Sequence, residues 1–155
     1  MKILLAVDGS TFSDAAADQV ASRPWPENSE VIVTSVYEPP VVPAVESWVP
    51  PQQYFEEREK ADQEEARNAV NRAVDRLRSA HTMLTIRSEI VRGHPADVIL
   101  DRASQWNVDL IVMGSHGYTG LKRFLLGSVS QRVSLHAKCS VEIVRAHDTR
   151  EEKAA

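Results

Sequence analysis

Residues 109–131 read DLIVMGSHGYTGLKRFLLGSVSQ, and they contain both the pattern that sets the fold and the pattern that suggests a function. Leu110 to Met113 is an unbroken apolar run, as expected of a strand buried on both faces of a parallel sheet. Four of the chain's six glycines, Gly114, Gly117, Gly120 and Gly127, follow it before a helical segment begins at Ser128. Such crowding has two physical readings. The glycines punctuate turns, or they let backbone N–H groups approach an anion in front of a helix N-terminus, where unpaired donors and the macrodipole favour negative charge. Ser128-Val129-Ser130-Gln131 is also an S-x-x-Q capping box, in which Ser128 needs no ligand to explain it.

Working outward, Ile3 to Val7 is a second unbroken apolar run, closed by Asp8-Gly9-Ser10 and expected to be a central strand. A short helix from Ser10 through Ala21 stops at Pro24-Trp25-Pro26. Val31 to Val36 is β-branched and predicts the next strand. Residues 38–51, with five prolines among Val41, Val42, Trp48 and Val49, predict a loop folded over the surface. From about Gln53 to Ala80 the steps of three and four between Ala66, Ala69, Val70, Ala73, Val74 and Leu77 predict a long helix. Its charged first half, Glu56 to Glu65, reads as a solvated face or overhang.

Leu84, Ile86, Ser88 and Ile90 alternate with polar residues, the pattern of a half-exposed edge strand. Gly93-His94-Pro95 leads into a helix carrying Val98, Ile99, Ala103 and Trp106 on one side and ending near Asn107. After the glycine segment come a helix from Ser128 to about Ala137 and a last strand, Val141 to Val144. Strands alternating with helices give a parallel sheet with right-handed crossovers and helices on both faces. In such a sheet ligands bind beyond the carboxyl ends of the strands, where Asp8-Gly9-Ser10 and the segment from Gly114 would share a crevice.

Composition bounds the function classes. The 155 residues suit one domain, 1–146, followed by a charged tail, 147–155, expected to fray. With 18 basic and 22 acidic residues the net charge is −4, which argues against generic nucleic-acid binding. No apolar run approaches the length of a membrane span, and the first run is too short for a secretion signal. The lone Cys139 forms no intramolecular disulfide and reads as a small buried hydrophobe. A cytoplasmic location is expected.

The familiar nucleotide fingerprints are absent: there is no G-x-x-x-x-G-K-[ST] loop, and no G-x-G-x-x-G follows the first strand. The spacing Gly114-x2-Gly117-x9-Gly127-Ser128 instead resembles the G-2x-G-9x-G-(S/T) signature of the ATP-binding branch of the universal stress protein family. Asp8-Gly9-Ser10 with Ser13, Val36 at the end of the second strand, Gly93-His94-Pro95 and Val141-Glu142-Ile143-Val144 are similar to that family's corresponding segments. Together, alternation and resemblance imply a three-layer, Rossmann-like fold with a five-stranded parallel sheet in the order 3-2-1-4-5.

The resemblance further implies that Val36 meets adenine, Asp8 lies by the ribose and Ala6 lines the pocket between them. Gly114, Ser115, His116 and Gly117 would wrap ribose and phosphates, and Gly127, Ser128, Val129 and Ser130 would hold the phosphate chain. ATP, with or without Mg²⁺ near Asp8, is the implied ligand. A sensor or regulator in stress, acting on an unidentified protein partner, is the implied role. A homodimer through Val141, Ile143 and Val144 of the last strand is implied too, although Glu142 facing its symmetry mate would weaken it. The family usually has proline after the cysteine, where this chain has Ser140.

Two alternatives stay open: a slow ATP hydrolase, and a nucleotide-free dimeric scaffold whose glycines serve only turns. The sequence shows no Walker-type lysine, assignable arginine finger or second carboxylate for phosphoryl transfer, so any hydrolysis is expected to be weak. His116 lacks an accompanying nucleophile motif and is expected to line the pocket rather than act as a base. Lys122 and Arg123 read equally as phosphate contacts or solvated charges.

Overall fold

The computed structural model describes residues 1–40, 50–80, 83–117 and 126–146. Most of the proline-rich stretch, including Trp48, and also Gly120, Lys122, Arg123 and the 147–155 tail lie outside them. Five strands, β1 (Lys2–Ala6), β2 (Glu30–Tyr37), β3 (Thr85–Arg92), β4 (Leu110–Gly114) and β5 (Ser140–Val144), alternate with four helices, α1 (Thr11–Ser22), α2 (Gln52–Ser79), α3 (Pro95–Gln105) and α4 (Ser128–His136). All paired strands are parallel, in the order β3-β2-β1-β4-β5. The expected doubly covered sheet is therefore the one observed, with β1 central and β3 at an edge.

The period-two geometry of β1 divides the core between the two faces. Ile3, Leu5 and Val7 join Val20 of α1 and Val70, Ala73 and Leu77 of α2 in one buried cluster. Leu4 and Ala6 join Ile99 and Ala103 of α3 and Val133 of α4 in the other. The apolar stripe of α2 begins only at Ala66, so the preceding charged half overhangs the sheet, tethered by the Glu59–Arg92 ion pair at 2.7 Å. No helix among the described residues is long and apolar enough to cross a membrane.

The turn after β1 is built by its own polar side chains. Gly9 has φ of 83°, which the missing Cβ permits. Asp8 Oδ1 accepts from Ser10 N at 2.9 Å, Ser10 Oγ caps α1 by accepting from Ser13 N at 3.2 Å, and Ser13 Oγ accepts from Gly9 N at 3.1 Å. These bonds satisfy orphan donors of the helix start and hold the Asp8 carboxylate at the carboxyl edge of the sheet.

At the other sheet edge, Glu142 does not carry a bare charge. Its carboxylate takes both terminal nitrogens of Arg23, at the end of α1, at 2.7 and 2.8 Å. Arg23 also lies over the Trp25 ring, 5.1 Å from its centroid.

Candidate functional site

Beyond the carboxyl ends of β1, β2 and β4, on the face covered by α3 and α4, a cleft of about 720 Å³ opens to solvent. Thr34, Ala6 and Met113 are register partners across β2, β1 and β4 and form its floor. Pro95 and Ile99 of α3 wall one side, and Ser128, Val129 and Ser130 of α4 wall the other. Asp8, His116, Gly117 and Gly127 complete the lining.

The structure thus gathers ten of the sequence-selected residues into one cleft: Ala6, Asp8, Val36, Gly114, His116, Gly117, Gly127, Ser128, Val129 and Ser130. Ser115 is not among the lining residues. It is 1% exposed, its Oγ lies 3.1 Å from His116 Nδ1, and its carbonyl anchors α4 by accepting from Gly127 N at 2.9 Å and Ser130 Oγ at 3.0 Å. Ser115 therefore shapes the site from behind.

That anchor also corrects the capping box. The residue preceding the first helical turn is Gly127, not Ser128, and no side chain caps it. Ser128 is already helical, and Gln131 N bonds the Gly127 carbonyl in the ordinary helical manner at 2.9 Å. The N–H groups of Ser128, Val129 and Ser130 consequently have no intrahelical acceptor, and they stand at the positive end of the helix dipole. Ser130 Oγ donates internally, to the carbonyls of Ser115 and Gly127, so its backbone N–H is better suited to an anion than its hydroxyl proton.

The three glycines of the spaced motif have different reasons to lack a side chain. A Cβ at Gly114 would stand 2.7 Å from the Phe12 carbonyl carbon, so this glycine admits the first turn of α1 against the end of β4. At Gly117 it would stand 2.8 Å from Asp8 Oδ2, a movable carboxylate. At Gly127 it would meet His116 Cα and the Ser115 carbonyl at 3.3 Å. Gly114 is thus a packing glycine that also borders the cleft, while Gly117 and Gly127 keep the rim around Asp8 and the helix start narrow.

His116 packs its ring against Phe12 at 5.1 Å between centroids, and its Nε2 is buried without a hydrogen-bond partner among the described residues. Backbone donors without an intrahelical acceptor at the start of α4 are groups that a bound polar ligand would satisfy. The apolar floor and polar rim together fit an anion carried on a flat, largely apolar body.

Sequence reasoning passed over Val7, Ser13, Thr34, Pro95 and Ile99 and placed Met113 only in the core, yet all six line the cleft. Thr34 stands two residues before Val36, on the same face of β2, and that period of two was the available signal. Pro95 and Ile99 are one helical turn apart, which puts them on one side of α3.

The universal stress protein family profile matches residues 1–145. Universal stress protein MJ0531 of Methanocaldococcus jannaschii is 35% identical over 147 residues, spanning 93% of this chain and 81% of its own length. Among solved structures, hypothetical protein MJ0577 matches with a TM-score of 0.77 at 30% identity, over 96% of this chain and 97% of its own. A universal stress protein solved in complex with cAMP matches with a TM-score of 0.64 at 26% identity, over 93% and 96%. In fold, motif spacing and sequence, the chain belongs to the universal stress protein family.

Proposed function

We propose that the cleft binds an adenine nucleotide, ATP in the first instance, and that residues 1–146 act as one nucleotide-binding unit of a cytoplasmic stress-response regulator. The observation that carries the reading is the meeting of two surfaces in one cleft: the mostly apolar row of Thr34, Ala6 and Met113 on β2, β1 and β4, and the N–H groups of Ser128, Val129 and Ser130, which have no intrahelical acceptor, at the start of α4. Base and ribose lie along the row, with Val36 at the base and Asp8 beside the ribose. Phosphates sit against α4 between Gly117 and Gly127, where donors and dipole are already oriented. The complex of a family relative with cAMP supports the adenine reading. Mg²⁺, when present, is held by phosphates and water, with Asp8 as the carboxylate among the described lining residues.

Regulation follows only if nucleotide favours one conformational or assembly state over another. The exposed edge of β5 supplies a candidate, a homodimer through Val141, Ile143 and Val144, whose pairing would cover unpaired backbone groups. Because Glu142 is already paired with Arg23, its charge opposes that pairing less than an isolated carboxylate would.

Thermal unfolding with and without Mg-ATP tests the binding. At ~1,000-fold above the dissociation constant the folded state gains about 4 kcal/mol, equivalent to an upward shift of roughly 8–16 °C. Gly117→Ala serves as the control, since its Cβ displaces the Asp8 carboxylate without meeting backbone. It is expected to fold and to lose most of the shift. Absence of any shift in the wild type at millimolar ATP would remove the nucleotide reading.

A further inference from the structure

The turn that carries Asp8 is held from the far side of the sheet. Helix α2 packs on the face opposite the cleft, yet two of its arginines, one turn apart, reach the start of α1. Arg76 pairs with Asp14 at 3.1 Å and with Asp18 at 2.7 Å, which ties the two helices together. Arg72 makes a different contact, donating from Nη2 to the backbone carbonyl of Gly9 at 3.2 Å.

That carbonyl shares its peptide unit with the Ser10 N–H, which donates to Asp8 Oδ1 at 2.9 Å. A peptide unit is planar and trans, so its C=O and N–H point in opposite directions. Arg72 and Asp8 grip one rigid unit from its two ends. Gly9 has φ of 83° and no Cβ, so local sterics restrain its backbone less than that of other residues. An outside contact has more to fix there. Donation to the carbonyl also polarises the peptide and strengthens its N–H as a donor. With Oδ1 engaged by Ser10, Oδ2 faces Gly117 at the cleft rim, where a Cβ on that glycine would stand 2.8 Å from it.

We infer that Arg72 is a positioning residue for the nucleotide site: by fixing the Gly9–Ser10 peptide it holds the Asp8 carboxylate with Oδ2 presented to a ribose hydroxyl. This rests on the nucleotide reading above and adds to it a residue from outside the cleft. The Arg72 bond lies in solvent, so the stability of the fold depends on it little. Its loss is felt in the direction of the Asp8 side chain.

The test compares dissociation constants for ATP and 2′,3′-dideoxy-ATP, both with Mg²⁺, by titration calorimetry on the wild type, Arg72→Ala, Arg72→Lys and Arg76→Ala. The two nucleotides share base and phosphates, so their ratio isolates the ribose hydroxyls. The wild type is expected to favour ATP by about tenfold, the scale of one hydrogen bond to a charged group. Arg72→Ala loses most of that preference, and Arg72→Lys, which can still donate to the carbonyl, keeps it. Arg76→Ala, which loosens the helices without touching Gly9, leaves the ratio unchanged. In the free protein, Arg72→Ala also moves the Ser10 amide proton resonance upfield as its bond to Asp8 weakens, and Arg76→Ala does not. Equal binding of the two nucleotides by the wild type, a ratio or a Ser10 resonance unmoved by Arg72→Ala, or the same changes in Arg76→Ala overturns the inference and leaves the nucleotide reading standing. If the wild type binds neither nucleotide, the nucleotide reading itself fails and the role given to Arg72 falls with it.

Discussion

On one face of the sheet, Ile3, Leu5 and Val7 share a sealed core with Val20 and with Ala69 to Leu77 of α2; on the other, Leu4 and Ala6 share a smaller core with α3 and α4, and the cleft opens beside it. The placement of the helices accounts for much of the difference, with α2 covering the sheet from Ala66 onward. The 28-residue α2 and 12-residue α1 cover their face, whereas the 11-residue α3 and 9-residue α4 leave the strand ends bare. The larger apolar burial is concentrated where no ligand is expected. The helix-start donors of α4 lie where the cover runs out.

Substitutions that separate the two faces should separate stability from binding. The largest effect is expected at Leu77, wholly buried on the α1/α2 face. Leu77→Ala removes about 2–5 kcal/mol of unfolding free energy in a denaturant titration and leaves the ATP dissociation constant of the folded protein unchanged. A large loss of ATP affinity would show that the faces are coupled.

Gly114→Ala is expected to affect both properties, because its Cβ would press on the Phe12 backbone from α1 while Gly114 borders the cleft. Overpacking of this kind costs about 1–3 kcal/mol, and ATP binding should weaken with it. A variant as stable as the wild type would mean that α1 can move away freely, contrary to the capping bonds at Ser10 and Ser13.

A smaller effect is expected at the sheet edge. Arg23→Ala unpairs Glu142 and should cost about 1 kcal/mol or less, since both side chains are about one-third exposed. If β5 pairs with a second copy, the same variant shifts sedimentation toward monomer, and Glu142→Gln in that background returns it. An unchanged sedimentation profile would count against the β5 dimer.

The smallest effect concerns chemistry alone. Burial against the α3/α4 core raises the Cys139 thiol pKa above its usual value, a shift that nearby Asp109 reinforces and backbone hydrogen bonds partly oppose. At a pH below that pKa the thiolate fraction is smaller than in a free thiol. Iodoacetamide should therefore modify Cys139 more slowly than free cysteine at pH 8, with the rate rising as pH increases. Equal rates would argue that the edge by Cys139 opens readily.

Much of the fold was legible because the buried strands carry their own signature. Ile3 to Val7 and Leu110 to Met113 needed no neighbour to be read as doubly covered. The alternation from Leu84 to Ile90 marked an edge for the same reason. The site was legible where turns and spacing are local, as with Asp8-Gly9-Ser10 and the glycines. It was misread where a local pattern competed with a distant contact. S-x-x-Q suggested Ser128 as the cap, but the bonds from Gly127 N and Ser130 Oγ to the Ser115 carbonyl set the helix start one residue earlier. Ser115 sat among ligand candidates in sequence, yet its side chain is turned against His116 behind the cleft.

The order of elements, the burial of the central strands and the glycine-serine spacing were determined by the sequence itself, because they rest on local sterics and on apolar periodicity. Tertiary structure alone decided which glycine serves packing and which serves the rim, that Glu142 is paired, and that Thr34 stands beside Ala6. Those outcomes depend on strand register and helix approach, which bring together residues as far as 119 positions apart.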